Sequence, residues 1–97
     1  MATFIMLANL TDQGIKGIKD APNRRAAVEK LAADQGGKIV VSYLTMGAYD
    51  RITVLDMPDG EAMARFALGL GALGNLRTTT LRGFPDQEGQ ELIASLP

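Results

Sequence analysis

The chain has 97 residues, ten of them basic and eleven acidic, so its formal net charge is −1. This even balance gives no electrostatic basis for binding nucleic acid or an anionic membrane. The lack of cysteine and histidine excludes disulfides and thiolate chemistry and removes the commonest acid–base side chain. The apolar run at residues 4–8 is too short to span a bilayer and has no basic lead-in, so we expect one cytoplasmic domain over residues 1–97.

The N-terminal third predicts a strand followed by two helical segments. Residues 3–10 carry apolar side chains on both faces, which is typical of a strand covered on both sides. Thr11 is placed to cap a helix that carries Ile15 and Ile18 on one side. We expect this helix to break near residues 20–22, because Pro22 lacks an N–H and suits the first position of a new helix.

The middle of the chain predicts the second helical segment and the second strand. The segment should bury Ala27, Val28 and Leu31 and end at the glycine pair at positions 36 and 37. Residues 38–46 read as a strand by their alternation. Its two predicted faces are Ile39, Val41 and Tyr43 on one side and Val40, Ser42, Leu44 and Met46 on the other.

The second half predicts a hairpin, a helix, a fourth strand and a short terminal helix. A turn at residues 47–50 leads into a strand over 51–57, and Asp59 then caps a helix. A fourth strand over 76–82 and a terminal helix over 86–96 follow. The helix capped by Asp59 has one apolar stripe, made by Met63, Phe66, Leu70 and Leu73.

This order of elements predicts an α+β fold. Right-handed crossovers place both main helices on one face of a four-stranded antiparallel sheet, which is the ferredoxin-like βαββαβ sandwich, here with a short C-terminal helix. Because the first three strands are apolar on both faces, the face without helices would leave a large apolar patch in water. We expect a second copy of the chain to cover it, forming a homodimer, since the terminal helix has too few apolar residues to do so.

Four segments of the chain, taken together, resemble the GYD domain family, which is named after a Gly-x-Tyr-Asp turn. They are the Thr-Asp-Gln-Gly-Ile run at 11–15, the Gly-Ala-Tyr-Asp turn at 47–50, the Pro-Asp pair at 58–59 and the Gly-Asn-Leu-Arg-Thr run at 74–78. The resemblance spans essentially the whole chain and implies a dimeric α/β barrel of ferredoxin-like topology. The larger superfamily includes cofactor-independent monooxygenases, isomerases, heme-degrading enzymes and ligand-binding domains, so the resemblance implies no single activity.

Two patterns suggest a cofactor or a metal, and both have simpler explanations. Residues 69–74 match the G-x-G-x-x-G pattern of dinucleotide sites, but they close a helix and precede a strand, which is the reverse of the required order. Asp56, Asp59 and Glu61 lack the spacing of a calcium loop, and helix capping accounts for them. We therefore expect no bound cofactor and no metal.

The predicted turn contains the candidate catalytic residues, Tyr49 and Asp50. In a functional role, the phenol and the carboxylate would lie at the rim of a cavity as acid and base. In a structural role, Gly47 would supply an unusual backbone angle and Asp50 would accept hydrogen bonds from neighbouring amides. The sequence leaves both interpretations open.

Further candidate ligand-binding residues lie near strand ends or on sheet faces, where a pocket between sheet and helices would open. These residues are Asn9, Thr11, Tyr43 and Arg77, and Tyr49 is also a candidate for ligand binding. Arg77 has a planar guanidinium that suits a substrate carboxylate, although pairing with Asp50 or Asp56 is the alternative.

Three functions fit these observations. The first is a homodimeric domain that binds a small apolar or weakly polar molecule between sheet and helices. The second is an enzyme of the cofactor-independent monooxygenase or isomerase type. The third is a structural or regulatory dimerisation module.

Overall fold

The computed structural model describes residues 1–97 and contains four strands and four α-helices. In chain order they are β1 (Ala2–Leu10), α1 (Asp12–Lys16), α2 (Ala21–Asp34), β2 (Lys38–Leu44), β3 (Arg51–Met57), α3 (Gly60–Ala72), β4 (Leu76–Gly83) and α4 (Asp86–Ala94), with a 3₁₀ turn at Ile18–Asp20. The strands form one antiparallel sheet in the order β2-β3-β1-β4. This is the ferredoxin-like α+β topology that the sequence predicts.

The hydrophobic core lies between one face of the sheet and the helices α2 and α3. In β1 and in β3, every second side chain points into this core, and the side chains between them lie on the opposite face of the sheet. The core cluster consists of Phe4, Met6, Ala32, Leu55, Met57, Met63, Phe66 and Leu70. Of the stripe predicted for α3, only Leu73 is outside this core, because it follows the last helical residue and is 50% exposed.

The two predicted helix caps are confirmed, whereas the first helix is shorter than expected. Thr11 Oγ1 accepts a hydrogen bond from the Gly14 N–H (3.0 Å), and Asp59 Oδ1 accepts one from Ala62 (2.8 Å). The helix α1 ends at Lys16, so the chain leaves the α-conformation before the proline rather than at it. Pro22 lies in the first turn of α2, where its missing N–H costs no hydrogen bond.

The prediction for the buried side of α2 is partly wrong. Ala27 is exposed, Val28 and Leu31 are half-buried against the core, and Ala32 is the fully buried residue of this helix. The helix therefore touches the sheet mainly near its C-terminal end. Its N-terminal half is separated from the sheet, and this separation creates the cleft described below.

A bulge in β2 changes which residues share a face. Ile39 pairs with Leu55 while Val41 pairs with Val54, so Val40 is an extra residue without a partner. An extra residue reverses the alternation beyond it. Ile39 therefore points to the helices and packs against the core, and Val41 and Tyr43 lie on the other face. The prediction that these three residues share one face is wrong.

The second face of the sheet, called the open face below, is covered by no helix. Its central residues are apolar, and they are Ile5, Leu7, Val41, Tyr43, Ile52, Val54 and Leu81. The helix α4 does not cover them, since none of its residues is buried and it packs against no strand extensively. Leu92 and Ile93 of α4 are 49% and 68% exposed.

Candidate functional site

Asp50 joins the turn after β2 to the end of β1. Its carboxylate Oδ2 accepts a hydrogen bond from the Leu10 N–H at 2.8 Å, and its own N–H donates to the carbonyl oxygen of Ala8 at 2.9 Å. Gly47 has φ 116°, a conformation that favours glycine. The structural role considered for this turn is therefore present in the molecule.

Thr11 makes a second junction, between the end of β1 and the segment that follows α3. Its backbone N–H donates to the Asn75 carbonyl oxygen (3.1 Å) and its hydroxyl donates to the Gly74 carbonyl oxygen (2.6 Å). The Gln13 side chain adds a hydrogen bond to Asn75 Oδ1 at 3.0 Å. Three of the four segments that carry the family resemblance are thus connected near residues 8–11 by hydrogen bonds.

The other candidate residues are distributed over the molecule. Asn9 and Arg77 are paired neighbours on the open face, and Tyr43 lies on the same face opposite Ile52, with 59% of its surface exposed. Arg77 forms no ion pair with Asp50 or Asp56. The two ion pairs of the chain both lie within α2. Of all the candidates, only Asp50 lines the cleft.

This cleft has a volume of about 680 Å³ and opens between the N-terminal half of α2, the covered face of the sheet and the segment after α3. Most of its wall is apolar. The apolar contributors include Met6, Ala27, Val28, Leu44, Leu70 and Leu76. The cleft lies where the sequence predicts a pocket, although most of the residues predicted for it are elsewhere.

One polar cluster interrupts this apolar wall, and none of its residues is among the candidates predicted from the sequence. The guanidinium Nη1 of Arg51 donates to Ser42 Oγ at 3.0 Å, and that oxygen lies 3.1 Å from Thr53 Oγ1. Thr53 is only 4% exposed. Strand alternation places Arg51 and Thr53 on one face, but the pairing of Ser42 with Thr53 depends on a loop over residues 45–50, which is two residues longer than the predicted turn.

The charges around the cleft are not balanced. Arg25 is paired with Glu29 at 2.9 Å, but Arg24 and Arg51 have no acidic partner. The Arg24 guanidinium donates to the Gly17 carbonyl oxygen at 3.3 Å. Asp50 is the one acidic residue of the lining, and its carboxylate already accepts the Leu10 N–H.

The chain contains no group of three or more acidic, histidine or cysteine side chains placed to hold a metal ion. None of its helices has the length and hydropathy that crossing a bilayer requires.

The fold and the site together define a class: a small α+β protein of ferredoxin-like topology with a largely apolar cleft between one helix and the sheet. Within this class, the sequence model of the GYD domain matches residues 4–93. The chain belongs to the GYD domain family, and the predicted resemblance is confirmed.

Two comparisons relate the chain to proteins of Thermus thermophilus. It is 36% identical over 86 residues to a protein named "Glutamine synthetase and cystathionine beta-lyase binding protein", and the match covers 88% of this chain and 90% of that protein. It also resembles the crystal structure of TTHA0845, with a TM-score of 0.55 and 23% identity over 88% of this chain and 95% of that one. The second similarity supports the fold alone.

Proposed function

We propose that this protein is a homodimeric binding protein that holds a small, largely apolar molecule in the cleft between α2 and the sheet. The cleft itself supports this proposal. Ligand sites in proteins are concave, have volumes of about 300–1,000 Å³ and combine apolar walls with a few placed polar groups. The cleft has about 680 Å³, an apolar wall and one polar cluster around Arg51.

The geometry favours binding over acid–base catalysis by the candidate pair in the turn. The Asp50 carboxylate is engaged by the Leu10 amide, and Tyr49 does not line the cleft. An enzyme of the monooxygenase or isomerase type would need at least one free proton-transferring group near the substrate. Tyr49 is not placed to be that group, and one oxygen of the Asp50 carboxylate is held by the Leu10 amide.

The proposed homodimer rests on the open face. This face is apolar at its centre, and α4 leaves it uncovered. A patch of this kind on a soluble chain marks an interaction site. A two-fold partner stacked sheet on sheet would bury the same residues of both copies and produce a dimeric α/β barrel.

A second candidate function is the regulation of other proteins through direct binding. The observation that favours it is the 36% identical relative, whose name states that it binds glutamine synthetase and cystathionine beta-lyase. The two functions are compatible, because a ligand in the cleft would contact α2, whose outer side is available to a partner.

A matched pair of variants on α2 tests the proposed cleft function. Ala26 and Ala27 are adjacent exposed residues, but only Ala27 lines the cleft. The neutral fluorescent probe N-phenyl-1-naphthylamine should bind the unmodified protein with increased emission. Ala27→Trp should reduce that emission severalfold because the indole fills the cleft, while Ala26→Trp should leave it unchanged. Equal emission from both variants would contradict the proposal.

A further inference from the structure

Two arginines face the cleft without an acidic partner. Arg51 is half-buried and its only hydrogen-bond acceptor within the chain is Ser42 Oγ, whereas a guanidinium has five N–H donors. Arg24 lies on the opposite wall, on α2, and is bonded only to a backbone carbonyl. The cleft therefore has a net positive charge and several free donors.

The position of Arg51 makes these free donors useful for recognition. The guanidinium bonds to Ser42, which bonds to the buried Thr53, so its orientation is set by the sheet. A fork held in this way matches the two oxygens of a carboxylate. Because the surrounding wall is apolar, a hydrogen bond between such charges is stronger there than in water.

The remainder of the wall determines the other part of the ligand. The apolar side chains of β1, α2 and the segment after α3 offer a surface for a hydrocarbon chain, and the one acidic group of the lining, Asp50, already accepts the Leu10 N–H through Oδ2. A ligand that satisfies both regions has one anionic end and one apolar body.

We propose that the cleft selects amphipathic carboxylates, with Arg51 binding the carboxylate and the apolar wall receiving the hydrocarbon body. This inference rests on the proposed cleft function and specifies its ligand class. Arg24 contributes a second positive charge from the facing helix, which helps to attract the anion but does not set its orientation.

The experiment is isothermal titration calorimetry with three ligands that share one tail: octanoate, 1-octanol and octyl phosphate. The unmodified protein should bind octanoate at least about tenfold more tightly than 1-octanol, since charge-assisted hydrogen bonds are the stronger kind. Arg51→Gln, which keeps a polar N–H donor but removes the charge and the fork, should lose most of this preference and keep its affinity for 1-octanol.

Arg65→Gln is the matched control, because Arg65 is exposed on α3, donates to Gln35 and does not line the cleft. It should retain the full preference for octanoate. Binding of 1-octanol to Arg51→Gln also shows that this variant is folded with an intact cleft. If Arg51→Gln does not fold, Arg51→Lys is used, and it should weaken octanoate binding severalfold because it loses the fork.

The possible failures are distinguishable. Equal affinities for octanoate and 1-octanol in the unmodified protein would overturn the carboxylate assignment and leave the cleft function standing. A preference that survives in Arg51→Gln would overturn the role of Arg51, and octyl phosphate binding about tenfold tighter than octanoate would overturn the choice of carboxylate. If neither these ligands nor the naphthylamine probe binds, the proposed function itself fails.

Discussion

Replacing Asp50 with alanine should lower the stability of the fold. The Asp50 carboxylate accepts the N–H of Leu10 at 2.8 Å, beyond the last residue pair of β1 with β3, which is Ala8 with Arg51. The substitution removes this acceptor from a partly buried amide. Its cost is thus the loss of a charge-assisted hydrogen bond together with the desolvation of the amide.

The magnitude follows from the environment of this bond. Hydrogen bonds to charged groups contribute about 1.5–3 kcal/mol, and we take about 1–2 kcal/mol here because the Asp50 side chain is partly exposed to water. For a chain of this length, such a loss lowers Tm by roughly 4–16 °C. Asp50→Asn keeps an acceptor of the same size without the charge, so its cost should be about half as large.

Urea denaturation followed by circular dichroism measures these effects, at one fixed protein concentration because the stability of the proposed dimer would depend on that concentration. Asp34→Ala is the control. The Asp34 carboxylate forms an ion pair with Lys30 (2.9 Å), but it is exposed on α2, so its removal should lower the free energy of unfolding by less than about 0.5 kcal/mol. Tyr49→Phe should be neutral, because the phenol makes no hydrogen bond within the chain. An Asp50→Ala variant as stable as Asp34→Ala would refute the reasoning.

Three further substitutions test the packing and the proposed assembly. Gly14→Ala should lower the free energy of unfolding in urea by about 1–3 kcal/mol, because the added Cβ would collide with the Asn75 carbonyl oxygen. Its control is Gly89→Ala, whose Cβ meets open space and which should be neutral or stabilising. Phe66→Ala should cost about 3–5 kcal/mol by the same measurement, because Phe66 is buried in the core and only 1% exposed. Its control on the same helix is Leu68→Ala, which should change stability by less than about 0.5 kcal/mol because Leu68 is 74% exposed. Val54→Lys places a charge at the centre of the open face and should convert the proposed dimer to a monomer. Light scattering at micromolar concentration measures this. A monomeric unmodified protein would contradict the proposed homodimer.

Where a feature depends on neighbouring residues, the sequence predicts it well. The Thr11 and Asp59 caps are confirmed because a cap needs only one side-chain oxygen and an amide three residues later. The α3 stripe is confirmed for the residues inside the helix, since a period of 3.6 residues places them on one side regardless of what they contact. The order of strands and helices then leaves few topologies, and the observed one is among them.

Features that depend on distant contacts are predicted less well. The bulge at Val40 leaves Ile39 on the core side beside Leu55 and Val41 on the open face, and no local pattern in β2 indicates it. The exposure of Ala27 is a second case, since it depends on how far α2 lies from the sheet. Both errors concern the face that a side chain occupies rather than the element that contains it.

Most elements, their caps and their order can be predicted from the chain alone, because each depends on the spacing between nearby residues, and the family is recognised from the resemblance of four segments. The lining of the cleft, in contrast, follows from the packing of the folded molecule. Arg51, Ser42 and Thr53 come together there through strand pairing, while Arg24 arrives from a helix that precedes both strands. A site formed by contacts between separate elements depends on distances in space, and those distances are set by packing of the whole core.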